Sequence, residues 1–142
     1  YGCIRPFHAV EPYRLEMGAK LAVGGARDLY AFWADKLASV IAPAGSNTTV
    51  VNLASVEYAK AVVPHLAADA TAITCLFGEG IRNGKPIQRS TASKKARGSM
   101  VRWMAENKLE DASGLTAFDV GYRHAPELSN KNTLVFLNEQ TL

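Results

Sequence analysis

Three short runs set the strongest limit on what this chain can fold into. TTVVNL (48–53), ATAITCLF (70–77) and NTLVFL (132–137) are apolar and rich in β-branched residues. That composition predicts strands. Helical spacing governs much of the chain around them. After Asp28, a capping residue, Leu29, Phe32, Trp33, Leu37, Val40 and Ile41 recur as on one helix, which Pro43–Gly45 ends. ASVEYAKAVVPHL (54–66) predicts a second helix, with Ser55 as cap, Glu57 in its first turn and a stop at Pro64. A third is expected over about Lys94–Leu109, with Ala96, Met100, Trp103 and Met104 as its core stripe. Strands and helices interleave, so the fold class is α/β, with α+β as the other option, built as a mixed sheet with surrounding helices.

Two further segments carry local signals. EPYRLEMGAKL (11–21) alternates: Leu15, Met17, Ala19 and Leu21 fall on one face, Arg14, Glu16, Gly18 and Lys20 on the other. It reads as a half-buried strand. Arg82-Asn83-Gly84-Lys85 is a hairpin signal, since Asn-Gly accepts positive φ at both central positions, and a returning strand is expected over about Pro86–Arg89.

The length, 142 residues, suits one domain. No apolar run is long enough to span a bilayer, and no membrane partner is expected. Cys3 and Cys75 sit among apolar neighbours and read as buried thiols rather than a disulfide framework, which fits a reducing cytosol. The abrupt start at Tyr1 suggests the C-terminal part of a longer protein.

Charge is distributed unevenly. The segment 82–108 holds eight basic residues against one acid, Glu106, a net charge of +7 within a chain of +3. Such asymmetry points to an anionic partner, or to a solvated basic helix face. Its centre is STASKKARGSM (90–100). With Ser93 as a helix cap, Lys94 and Lys95 enter the first turn and Arg97 follows. Cations oppose the partial positive charge there. An anion at that point reverses the effect: N–H groups, the hydroxyls of Ser90, Thr91 and Ser93, and the two ammonium groups would converge on a phosphate. Arg97 adds a planar fork, and Gly98 permits close approach. The other reading is exposed lysines paired to nearby acids.

Elsewhere, Arg14 and Glu16 read either as a surface ion pair or as an anion-binding pair. Asn52 and Ser55 lie where a strand turns into a helix, a common ligand position, although Ser55 serves equally as an ordinary cap. His8, His65 and His124 have no pairing spacing, and the last two read as surface residues. With no HxxxH and no CxxC, no metal site, cofactor or hydrolase triad is expected, and no catalytic residue is assigned.

YGCIRP, PYRLEMG, DLYAFW, VVNLAS.EY, KKARG.M.R, ENKL and GLTAFDVGY, in this order, resemble the YaaA family of peroxide-stress proteins, from Tyr1 to about Phe136. The resemblance implies a bacterial, cytoplasmic protein tied to hydrogen peroxide tolerance and to limiting free iron. It implies a compact α/β fold with a basic cleft, of which residues 1–142 would be the C-terminal portion. It also implies DNA binding, helped by a helix-hairpin-helix element expected in an N-terminal half. The shared pattern covers Arg14 and Glu16; Asn52, Ser55, Glu57 and Tyr58; and Lys94, Lys95, Arg97 and Gly98. Thr91 and Ala92 stand where family members commonly carry aromatics, and YRHAPELSNKN (122–132) also departs.

Two functions follow as expectations. In the first, Lys94, Lys95, Arg97, Arg102 and Arg14 bind DNA without sequence preference. In the second, Arg14, Glu16, Asn52, Ser55, Glu57, Tyr58, Ser93, Lys94, Lys95, Arg97 and Gly98 line a pocket for a phosphate-bearing or other anionic small molecule, with or without catalysis.

Overall fold

The structure, a computed structural model, describes residues 2–5, 7–14, 16–20 and 24–141. It divides into two compact units, Tyr1–Val50 with Ala54–Thr71, and Val51–Leu53 with Ala72–Leu142.

In the first unit, Asp28 caps as its sequence predicts: its carboxylate accepts the Ala31 N–H at 2.8 Å. The expected single helix is broken in two, α1 (Leu29–Trp33) and α2 (Lys36–Ile41). Ala34 takes φ 42°, and that left-handed residue interrupts the hydrogen-bond ladder. Strand β1 (Thr49–Asn52) follows. Helix α3 (Val56–Ala59) is only four residues long. Pro64 does not stop it, but sits in the separate 3-10 turn Val63–His65.

The expected strand over 11–21 is absent from its described residues. Met17 and Gly18 form a turn, closed by the Ala19 N–H on the Glu16 carbonyl at 3.0 Å. Leu15 and Leu21, two members of that alternation, lie outside the described residues. Alternation without a pairing partner gives no ladder, so the face shared by Arg14 and Glu16 disappears with it.

The second unit is built on β2 (Thr71–Gly78), whose first residue falls in the first unit. The turn of the hairpin forms as predicted, with Asn83 at φ 51° and Gly84 at φ 71°, between β3 (Ile81–Arg82) and β4 (Lys85–Pro86). The returning strand is shorter and earlier than the expected Pro86–Arg89, because 87–89 lie outside any strand and lead into the next helix. Helix α4 (Ser90–Glu106) comes next, then the 3-10 turn Ala112–Ala117, β5 (Tyr122–His124) and β6 (Thr133–Asn138). The sheet order is β1-β2-β6-β5. β6 runs parallel to β2 and antiparallel to β5, so the sheet is mixed.

Both faces of this sheet are covered. On one, Cys75, Phe77 and Phe136 meet Ala96 and Met100 of α4, with Leu115, Phe118 and Tyr122. On the other, Val135 and Leu137 meet Ala125, with Leu76 and Leu128 against them. Successive residues of β6 thus alternate between two apolar layers, which explains why its sequence is apolar throughout. Phe77 is stacked on Phe136 and meets Phe118 and Tyr122 edge-on. Gly78 ends β2 because nothing larger fits: a Cβ there would lie 2.7 Å from the Pro86 side chain.

Candidate functional site

Helix α4 begins at Ser90, three residues before the expected cap, with Arg89 at the N-cap position and no side-chain cap bond. Ser93 is therefore not a cap. It is buried, and its hydroxyl donates to the Phe77 carbonyl at 3.4 Å. The first turn holds Ser90, Thr91 and Ala92, all uncharged, while Lys94 and Lys95 stand one turn further in. The helix-end field fades within that first turn, so the two lysines do not oppose it as the sequence reading supposes.

Their setting is the outer face of α4. Ser93, Ala96 and Met100 are the buried side, with Trp103 and Met104 partly buried against the core. Thr91, Lys94, Lys95, Gly98, Val101 and Arg102 are all exposed. Gly98 lies four residues from both Lys94 and Arg102, and no atom lies within 4 Å of where its Cβ would be. A bare stretch of helix surface thus sits between cations.

Arg97 is different. It is half-buried, with Nε on the Ser93 carbonyl at 3.0 Å and Nη1 on the Leu53 carbonyl at 3.5 Å. Part of its fork is therefore spent on the protein's own backbone. Arg102 pairs with Glu106 at 2.7 Å along the exposed helix. Among the described residues, Arg82, Lys85, Arg89, Lys94, Lys95 and Lys108 form no ion pair, which removes the reading of lysines matched to nearby acids. Asn52 is buried at the end of β1, and its amide donates to Thr74 Oγ1 at 3.1 Å.

The remaining predicted residues belong to the first unit. Arg14 and Glu16 are both exposed, and no ion pair joins them among the described residues. Ser55 occupies the N-cap position of α3 without a side-chain cap bond. Glu57 lies in the first turn, as predicted, and its carboxylate accepts the Met17 N–H at 2.9 Å. The Tyr30 hydroxyl donates to the Glu57 carbonyl at 3.1 Å. PYRLEMG and NLASVEY therefore meet, through Glu57. Tyr58 joins Tyr13 and Met17 on the wall of an apolar cavity of about 610 Å³. The structure thus groups Arg14, Glu16, Ser55, Glu57 and Tyr58 in one unit, and Asn52, Ser93, Lys94, Lys95, Arg97, Gly98 and Arg102 in the other.

One polar cluster escapes the sequence reading. Glu79, just beyond β2, accepts from the Tyr122 hydroxyl at 2.5 Å and from the Asn138 amide at 3.1 Å. Burial, helped by the neighbouring Glu79 carboxylate, pushes the Tyr122 hydroxyl up to about 12. Its only sequence signal is an acid placed directly after an apolar strand. Two smaller expectations are corrected. Cys3 is exposed, whereas Cys75 is buried and its thiol is pushed up to about 12. His124 is half-buried against Phe136, at 5.6 Å, with Nε2 buried and unpaired among the described residues.

Among the described residues no group of three or more His, Cys, Asp and Glu is placed to hold a metal ion. No helix there is long and apolar enough to cross a membrane.

Comparison with known proteins adds the family. The family model described as Peroxide stress protein YaaA matches residues 1–128. A UPF0246 protein of Limosilactobacillus reuteri (strain DSM 20016) is 44% identical over 137 residues, covering 96% of this chain and 54% of its own length. The UPF0246 protein of Desulfitobacterium hafniense (strain Y51) is 41% identical over 138 residues, with the same two coverages. That of Laribacter hongkongensis (strain HLHK9) is 44% identical over 143 residues, covering 98% of this chain and 55% of its own. The chain thus spans about half the length of the curated relatives it matches. On a match that takes in nearly the whole sequence, the chain belongs to the YaaA family of peroxide stress proteins.

Proposed function

We propose that this chain serves the peroxide-stress response by binding DNA phosphates, without sequence preference, through the outer face of α4 and the β3–β4 hairpin. One observation carries the reading: Arg82, Lys85, Arg89, Lys94 and Lys95 are exposed and form no ion pair among the described residues. Folding gives no reason for so many unmatched cations along one stretch. A polyanion does, since each phosphate neutralised by Lys or Arg releases a condensed counterion. Gly98, bare between Lys94 and Arg102, leaves room for a sugar-phosphate backbone to lie close. A cytoplasmic site of action and a restraint on free iron belong to the same proposal. The latter is read as free ferric iron by electron paramagnetic resonance in peroxide-treated cells.

The test is anisotropy of labelled duplex DNA titrated with the chain between about 50 and 200 mM salt. Log affinity is expected to fall linearly with log salt. Lys94→Gln with Lys95→Gln should reduce that slope by about 1.8, since each lost phosphate contact removes about 0.9. A flat salt response, or a slope unchanged in the double variant, defeats the proposal. Tight binding of pyrophosphate that excludes DNA would favour a small anionic ligand on the same residues.

A further inference from the structure

We infer that the apolar face of the first unit, centred on Ile4, Val10, Tyr13 and Tyr58, is the seat of the polypeptide that longer family members carry beyond the stretch matched here. The occupant is a segment of the same kind of protein, presenting aliphatic or aromatic side chains to this face. The inference does not depend on DNA binding.

Three observations support it. The first is the state of the face. Ile4 and Val10 are 48% and 42% exposed, and Tyr13 and Tyr58 are 64% and 51% exposed. All four border the cavity of about 610 Å³, which Trp33 and Leu29 help to line. Soluble proteins rarely leave so large an apolar concavity, rimmed by aromatics, without a partner.

The second is how little this unit buries. Among the described residues its buried hydrophobics are Leu29, Ala38, Ala42 and Ala61, of which only Leu29 is large. Among the described residues, every fully buried large side chain, Phe77, Phe118, Phe136, Met100, Leu115 and Val135, belongs to the other unit. The core that its described residues form is small, and apolar surface from elsewhere would enlarge it.

The third is the source of that surface. The relatives from Limosilactobacillus reuteri and Desulfitobacterium hafniense are matched over 54% of their length. Each therefore has nearly as much polypeptide again, covalently joined and present at high effective concentration. A second copy of this chain has no such advantage.

Hydrogen exchange measured on this chain and on the intact Limosilactobacillus reuteri relative tests it. Amides in the stretch aligned with 7–14 are expected to exchange about tenfold more slowly, or better, in the intact relative. Equal exchange in the two proteins overturns the inference. A second measurement uses the tagged chain, co-expressed with the part of that relative it does not match. Stoichiometric capture, abolished by Tyr13→Glu or Val10→Glu but indifferent to Lys94→Gln, supports it. Capture untouched by Tyr13→Glu, or a dimer of this chain that Tyr13→Glu dissolves and the added segment does not, overturns it.

Discussion

At the residue scale, the two cysteines make opposite predictions from opposite surroundings. Cys3 is exposed, whereas the buried Cys75 thiol is pushed up to about 12. Only a thiolate reacts with iodoacetamide at a useful rate. Mass spectrometry after brief alkylation at neutral pH should find Cys3 modified and Cys75 intact until denaturant is added. Tyr122 is the second case. Its hydroxyl bonds the Glu79 carboxylate, and a hydrogen bond to a charged group contributes about 1.5–3 kcal/mol. Tyr122→Phe should lower stability by about that much at neutral pH, measured by urea unfolding. The pH dependence has a defined sign. Tyr122 is pushed up to about 12 in the fold, against about 10 when unfolded. Its contribution is complete below pH 10 and is lost as pH rises through 12. The gap between wild type and Tyr122→Phe should therefore narrow across that window. Cys75 has the same sign, but it is present in both proteins and cancels. A gap constant up to pH 12 would mean that Tyr122 is not held as described.

At the element scale, α4 combines a packed side and an exposed basic side. Met100 is fully buried among Cys75, Phe77 and Phe136, so Met100→Ala should cost about 2–5 kcal/mol. Gly98 is exposed, with nothing near its Cβ position, so Gly98→Ala should stabilise the helix by about 0.5–1 kcal/mol. On the proposed function the same change weakens DNA binding, because a methyl group enters the space left for the backbone. A protein with raised melting temperature and lowered affinity would separate the two roles of that glycine. Affinity unchanged would mean that Gly98 makes no room for a ligand.

The elements also show which local signals are sufficient. Asn83-Gly84 specified its hairpin because positive φ at both residues is a property of those residues. The stripe Ala96, Met100, Trp103 and Met104 was readable because helical spacing is a property of neighbours. The start of α4 was not, since its cap residue, Arg89, makes no side-chain cap bond that a sequence could advertise. Ser93 looked like a cap because serine usually is one, yet its hydroxyl answers a carbonyl 16 residues away.

At the scale of the whole molecule, each unit has its own stability profile. The second has two apolar layers around β2 and β6. Amides of 74–78 and 133–137 are expected to exchange slowest in the chain, and those of 7–14 fastest. Strong protection over 7–14 in the isolated chain would contradict the open apolar face.

By itself the sequence determined the strands over 49–52, 71–78 and 133–138, the hairpin, the Asp28 cap, the buried stripe of α4 and the concentration of charge over 82–108. Each follows from residues within a turn or two of one another, where spacing and intrinsic φ preference suffice. Only the tertiary structure decided that 11–14 and 16–20 would not be strand, that β5 would join β6 antiparallel, and that Ser93 would face inward. It alone brought Tyr122 and Asn138 to Glu79 from 43 and 59 residues away. Those outcomes depend on which distant group is available to satisfy a buried polar atom or an open strand edge, and no local pattern encodes that choice.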